Sequence, residues 1–203
     1  MSSVKAEPPV LLIVAGPNGS GKSSAYQDAD IEAVGRSVWI INPDLLAARI
    51  RDVEGLELFG ANLEAVKRIE AWLEASIVAH QTVGVETVLS TPKYRRLVER
   101  AKTLGFDIWF FYVLLDSVER NVERVRLRVK KGGHAVEEDK IRERYARSLA
   151  QMPWFLEKAD RAFLFDNSGA KPKLIGEKQD GVVTLYHGAL PAIVAAARQI
   201  QSE

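Results

Sequence analysis

Short apolar runs alternate along the chain with longer stretches in which apolar residues recur every three or four positions. The runs predict strands buried on both faces, and the longer stretches predict amphipathic helices. The apolar runs lie at 10–15, 37–42, 82–87, 108–115 and 160–165. Strands that alternate with helices predict a three-layer α/β fold, in which a mostly parallel five-stranded sheet has helices on both faces.

The helices are predicted from apolar spacing and from residues that begin or end helices. They cover, in order, about 21–29, 43–50, 58–81, 91–105, 117–131, 137–151 and a segment from Leu190. Pro43 suits a first helical turn, and Thr91 is the predicted N-cap of its helix. A short strand hairpin is expected at 173–177 and 182–186.

The segment Gly16–Ser24 directly follows the first apolar run and has the spacing of a phosphate-binding loop, or P-loop. Its glycines let the backbone wrap closely, so that successive N–H groups point at an anion. Lys22 can reach the β- and γ-phosphates of a nucleotide, and the Ser23 hydroxyl can ligate Mg²⁺. The predicted nucleotide-binding residues of this loop are Gly16, Pro17, Asn18, Gly19, Ser20, Gly21, Lys22, Ser23 and Ser24.

Composition and charge narrow the class of protein. The length of 203 residues predicts one domain, over 1–203. The chain has 47% hydrophobic and 27% charged residues and a formal net charge of +1. A charge near zero gives no general case for a nucleic-acid partner or an anionic membrane. The sequence has no cysteine and no apolar run of membrane-spanning length, so the expected location is the cytoplasm.

Three carboxylates follow predicted strands and are expected at the sheet edge that carries the P-loop. We predict Asp44 as a general base that accepts a proton from an acceptor hydroxyl. Glu86 can hold the acceptor or Mg²⁺-bound water. Asp116 can serve on the Mg²⁺ or acceptor side, or it can be the N-cap of the next helix, and both interpretations stay open.

A basic helical hairpin over about 117–151 predicts a lid that closes over the phosphates. Between Arg120 and Arg147 there are ten Lys or Arg residues against five Asp or Glu. A solvated basic face is the alternative. Arg128 is the preferred phosphate-contacting arginine, Arg144 is the second candidate, and His134 is a further candidate in the loop between the helices.

Taken together, these residues resemble the zeta toxin family of P-loop kinases. The resemblance rests on Gly16–Ser24, Ile41-Asn-Pro-Asp44, Val85-Glu-Thr-Val-Leu-Ser90, and the lid segment from Arg128 through Gly132-Gly-His134 to Leu149. It implies a nucleoside-monophosphate-kinase-like sheet with a helical lid. It also implies ATP-dependent phosphorylation of a nucleotide-linked sugar, typically UDP-N-acetylglucosamine.

The resemblance also assigns roles to individual residues. Lys22 and Ser23 would serve ATP and Mg²⁺, Asp44 would be the base, Glu86 would bind the acceptor sugar, and Arg128 would clamp phosphate. The loop at 166–168, with Asn167 at its centre, would lie where such kinases hold adenine. His134 stands where longer members place a second lid arginine. An antitoxin protein is a family expectation.

Two other functions compete with a small-molecule kinase. A nucleotide-driven switch or mechanical ATPase would use the same P-loop, but the Asn-Lys-x-Asp motif of GTPase switches and the Leu-Ser-Gly-Gly signature of transporter ATPases are both absent. A regulatory nucleotide-binding protein without turnover would not need Lys22, Ser23 and Asp44 together. The carboxylates and the arginine-bearing lid favour transfer to a bound acceptor.

Overall fold

The apolar runs form the parallel part of one sheet. The computed structural model describes residues 7–28, 38–133 and 135–201, and the predicted positions Ala29, Ser37 and His134 lie outside them. The strands are β1 Val10–Ala15, β2 Ile40–Ile41, β3 Val83–Thr87, β4 Asp107–Leu114, β5 Arg161–Asp166, β6 Lys173–Gln179 and β7 Val182–Leu185. The helices are α1 Lys22–Asp28, α2 Pro43–Glu54, α3 Leu58–Val78, α4 Arg95–Thr103, α5 Val118–Lys130, α6 Glu138–Lys158 and α7 Pro191–Gln201.

The strand order is β2-β3-β1-β4-β5-β6-β7. The first five strands in this order are parallel to one another. β6 runs antiparallel to β5, and β7 runs antiparallel to β6. The predicted α/β class is confirmed, but the sheet has seven strands rather than five. The hairpin expected at 173–177 and 182–186 is present as β6 and β7, and it adds the two extra strands because β6 pairs with β5.

The register of the central strands brings their carboxyl ends together. Ala15 at the end of β1 lies opposite Thr87 of β3 and Tyr112 of β4. Val14 lies opposite Glu86, so the loop after β1 begins beside that carboxylate. In open parallel sheets ligands bind outside this edge.

The sheet is buried on both faces. Leu11 and Ile13 of β1 pack with α3, α4, α6 and α7 residues, whereas Leu12 and Val14 pack with Trp109 and aromatic neighbours on the other face. All of β1 is therefore inaccessible to solvent. An unbroken apolar strand is what such a position requires.

Three helix boundaries differ from the prediction by four residues or more, and the first is the end of α2, which continues from about Ile50 to Glu54. Thr91 is not a cap, because the turn at 92–95, in which the Arg95 amide donates to the Pro92 carbonyl at 2.9 Å, delays α4 to Arg95. Helix α6 continues from the predicted end at Gln151 to Lys158 through Pro153. Burial of Phe155 and nearby apolar residues against the core accounts for the extension.

The apolar stripe of the predicted lid is only partly buried. Val122 and Val125 of α5 are buried with Ile141 of α6, so the two helices pack on each other. Val129 is exposed to solvent. The hairpin therefore has its own small core near the P-loop end of α5.

A buried hydroxyl provides a test of the core at alkaline pH. The Tyr112 hydroxyl is 3.0 Å from the Ser148 hydroxyl, and burial raises the pKa of Tyr112 above its ordinary value of 10.0. Above about pH 10 the unfolded chain releases this proton while the folded chain keeps it. The stabilisation is therefore complete below pH 10 and is lost as the pH rises.

We expect the free energy of unfolding to fall more steeply between pH 10 and 11 in the native protein than in Tyr112→Phe, by up to about 1.4 kcal/mol per pH unit. Urea unfolding at several pH values measures the slope. Tyr94, whose pKa burial also raises, leaves some slope in the variant. Phe110→Leu is the control, since it perturbs the same core without removing a titrating group, and equal slopes in Tyr112→Phe and the native protein would contradict the assignment.

Candidate active site

The P-loop connects β1 to α1 and carries a buried ammonium group. The Lys22 Nζ donates to the carbonyl oxygens of Gly16 at 2.9 Å and Pro17 at 3.2 Å. Burial lowers the pKa of Lys22, and the neighbouring Glu86 and Asp44 oppose that shift. The lysine is thus held across its own loop, at the point where α1 begins.

Glu86 links the P-loop to Asn42, the residue that follows β2. Its Oε2 accepts a hydrogen bond from the Ser23 hydroxyl at 2.8 Å and another from the Asn42 side-chain amide at 2.9 Å. Glu86 is buried, so these two donors compensate for the water it loses. Asn42 was not singled out in the sequence, although its place before Pro43 and Asp44 marks it as a helix N-cap.

Asp44 lies in the first turn of α2 and is exposed. The Asn42 Oδ1 accepts hydrogen bonds from the backbone amides of Asp44 at 2.9 Å and Leu45 at 3.2 Å. The cap fixes the direction of the first turn, in which the Asp44 carboxylate is exposed.

One cavity of about 490 Å³ brings the main predicted residues together. Lys22, Asp44 and Glu86 line it from the sheet edge. Arg128 of α5 and Arg144 of α6 line it from the helical hairpin. Positive charge from two helices thus faces carboxylates from two strand ends across a space large enough for a small ligand.

Asp116 does not line this cavity. Its carboxylate forms an ion pair with Arg120, with N–O distances of 2.8 and 2.9 Å, and this pair lowers the pKa of Asp116. Nor is Asp116 the N-cap of α5, because Ser117 occupies that position and its hydroxyl accepts from the Arg120 amide at 3.4 Å. The N-cap interpretation of Asp116 was therefore wrong.

Asn167 contacts the P-loop itself. Its side chain is buried, and the Nδ2 donates to the Ser20 carbonyl at 2.8 Å. Asn121 of α5 makes a similar contact, with its Nδ2 donating to the Asn18 carbonyl at 2.6 Å. Asn121 was missed in the sequence, although it is the one uncharged polar residue of α5 and lies on the apolar stripe of that helix, four residues before Val125.

Oxygen donors at the P-loop fit a magnesium ion. No three His, Cys, Asp or Glu side chains within 7–28, 38–133 and 135–201 form a metal-binding group. Mg²⁺, however, is usually held by one or two protein oxygens together with waters and substrate phosphates. The Ser23 hydroxyl and the Glu86 carboxylate, 2.8 Å apart beside Lys22, are donors of this kind.

Comparison with known proteins identifies the family. The zeta toxin family model matches residues 2–171. The chain belongs to the zeta toxin family of P-loop kinases. This confirms the resemblance inferred from the P-loop, the Asn-Pro-Asp segment and the lid motifs.

Two proteins resemble this zeta toxin family member at low sequence identity. A protein of Haemophilus influenzae, described as uncharacterized, is 31% identical over 137 residues, which are 66% of this chain and 91% of the relative. The PezAT toxin–antitoxin system of Streptococcus pneumoniae gives a TM-score of 0.63 at 12% identity, over 97% of this chain and 87% of that one. At this identity the likeness concerns the fold.

A second structural neighbour is longer than this chain. A chain of the AvrRxo1-ORF1:ORF2 complex, solved with ATP, gives a TM-score of 0.68 at 12% identity and 97% coverage of this chain. This chain spans 64% of that one, less than two thirds of its length.

In the part of the chain that the structure describes, no helix is long and apolar enough to cross a membrane.

The double role of Asn42 can be separated by two substitutions. Asn42→Ala removes both the cap and the contact with Glu86, and we expect it to lower the free energy of unfolding by about 1–2 kcal/mol. Asn42→Ser keeps a capping hydroxyl but is too short to reach Glu86, so it should lose less stability than Asn42→Ala. Urea unfolding of the three proteins measures the difference, and equal losses in both variants would show that the cap is not what stabilises α2.

Proposed function

We propose that this zeta toxin family member is an ATP-dependent kinase. It transfers the γ-phosphoryl group to a hydroxyl of a small nucleotide-linked sugar such as UDP-N-acetylglucosamine. The observation that carries the proposal is the common cavity of Lys22, Asp44, Glu86 and Arg128 beside the P-loop. Family membership supports the reaction class, and the sugar is an expectation from the family resemblance.

In this proposal the P-loop and Lys22 bind the phosphates. The loop amides and the N-terminus of α1 present hydrogen-bond donors to the anion, as phosphate-binding loops do. Ser23 and Glu86 would hold Mg²⁺, which when bound supplies charge neutralisation on the phosphates. Lys22 would exchange a loop carbonyl for a phosphate oxygen, which replaces a neutral acceptor with a charged one.

Asp44 would accept the proton of the acceptor hydroxyl as its oxygen forms a bond to the γ-phosphorus. The bond from that phosphorus to the β–γ bridging oxygen breaks, and ADP leaves. Arg128 and Arg144 would stabilise the charge on the transferring group from the lid side of the cavity. Glu86 borders the same cavity and would also help to hold the acceptor.

The biological setting is part of the same proposal. The PezAT neighbour is described as a toxin–antitoxin system. A protein antitoxin for the present chain, and a cytoplasmic location, are proposed on family grounds. The chemistry of the cavity is independent of both.

The proposal is tested with purified protein, Mg²⁺, γ-labelled ATP and a panel of UDP-sugars, nucleosides and other small hydroxyl compounds. We expect label on a UDP-sugar above the ATPase background, and no transfer by Lys22→Ala. Label on a different acceptor would keep the kinase and refute the sugar. Label released only as free phosphate would overturn the kinase in favour of a nucleotide-driven switch.

The base assignment gives a second prediction. Asp44→Asn should reduce acceptor phosphorylation by about 10²–10⁴-fold, the usual contribution of general-base catalysis, and leave ATP affinity nearly unchanged. Initial rates at saturating ATP and a binding titration with ATP measure the two effects. Asp52→Asn is the matched control, because it removes an exposed carboxylate from the same helix outside the cavity lining. Unchanged turnover in Asp44→Asn would remove Asp44 from the mechanism.

A further inference from the structure

Two asparagine side chains hold the P-loop from outside. Asn121 comes from the helical hairpin, 103 residues beyond the carbonyl it contacts. Asn167 comes from the loop after β5, 147 residues beyond its own partner. Both donate a side-chain N–H to a backbone carbonyl of the P-loop, and neither lines the cavity that holds Lys22 and Asp44.

Both contacts are shielded from water. Asn121 is fully buried and Asn167 nearly so. A buried hydrogen bond of this kind is costly to break, because the carbonyl is then left without a partner. Among the residues that the structure describes, none donates a hydrogen bond to the Asn121 Oδ1, so burial of this amide carries a cost that a hydrocarbon side chain would avoid.

Asn167 is itself held in place. Its backbone amide donates to the Leu114 carbonyl at 2.9 Å, which ties it to the end of β4. Its carbonyl accepts from Arg124 Nη2 at 2.7 Å. Arg124 lies on α5 three residues after Asn121, so the two asparagines belong to one connected support around the loop.

The contacts determine where the loop amides point. In a trans peptide the C=O and the N–H of the next residue point in opposite directions. The Asn18 carbonyl shares its peptide plane with the Gly19 amide, and the Ser20 carbonyl shares its plane with the Gly21 amide. With the two carbonyls turned outward to Asn121 and Asn167, the Gly19 and Gly21 amides turn away from those side chains.

The glycines of the loop leave room for this arrangement. A Cβ atom on Gly19 would lie 2.6 Å from the Asn121 carbonyl oxygen, and one on Gly21 would lie 2.3 Å from the Asn167 Nδ2. Both glycines have positive φ values, of 77° and 81°. Glycine is therefore needed at both positions for the backbone conformation and for the approach of the asparagine-bearing segments.

We propose that Asn121 and Asn167 are positioning residues for triphosphate binding. They hold the peptide planes at 18–19 and 20–21 so that the Gly19 and Gly21 amides are oriented for phosphate before the nucleotide arrives. This rests on the proposed function only in that the loop binds a nucleotide triphosphate. In this role Asn167 acts on phosphate binding, whereas the family resemblance would place adenine beside Asn167.

The test compares affinities for ATP and for inorganic tripolyphosphate in Asn121→Leu and Asn167→Leu, by calorimetric titration. Leucine has the branching of asparagine but no donor. We expect each variant to bind both ligands about tenfold more weakly, the effect of one buried hydrogen bond. In the kinase assay KM for ATP should rise similarly, while KM for the acceptor and kcat at saturating ATP change less than twofold.

A matched control separates positioning from general loss of stability. Ser148→Ala removes another buried hydrogen bond, to Tyr112 in the core, and should lower Tm without changing either affinity. Should Asn121→Leu not fold, Asn121→Ser is measured in its place, because its side chain is too short to reach the Asn18 carbonyl.

Each remaining outcome has a separate meaning. Loss of ATP affinity with unchanged tripolyphosphate affinity in Asn167→Leu would overturn the positioning role there and favour a contact with adenine. Native affinities in both variants, or an equal loss in Ser148→Ala, would overturn the inference altogether. Failure of the native protein to bind ATP would instead overturn the proposed function.

Discussion

The buried ammonium group of Lys22 is the interaction on which the rest of the site depends. A charge removed from water must be compensated by close partners. Here the partners are two carbonyl oxygens of the same loop and the negative charge of Glu86 and Asp44. The loop is thereby folded around its own cation, and the same cation becomes available to an anionic ligand that can replace the carbonyls.

The parallel sheet explains why these groups meet. Residues far apart in sequence reach one edge because β1 and β3 run side by side and end together. Glu86 and Asp44 could be predicted at the site because each follows or ends an apolar run, and the position of a strand end is a local property of the sequence. The Gly16–Ser24 spacing is local as well, and it was the strongest signal in the chain.

Asp116 shows where this reasoning stops. It also follows a strand, yet Arg120 lies four residues later, which is one helical turn, and pairs with it. Arg120 was visible in the sequence. A position after a strand, however, does not show whether a carboxylate faces the ligand site or pairs with a neighbouring arginine. Nothing local could have predicted Asn121 or Asn167 as partners of the P-loop either, because each contact joins segments more than a hundred residues apart.

Helix α5, which contacts the P-loop through Asn121, also carries Arg128, the preferred phosphate-contacting arginine of the predicted lid. Asn121 and Arg128 are seven residues apart on α5, which separates them by about 10 Å along a straight helix. Since the Asn121 end is fixed to the loop and Val122 and Val125 are buried beside it, the backbone of Arg128 is held at a set distance from the phosphate site. In the predicted lid, these contacts would fix the base of the hairpin beside the P-loop, and Arg128 would reach a phosphate through its side chain, which lines the cavity.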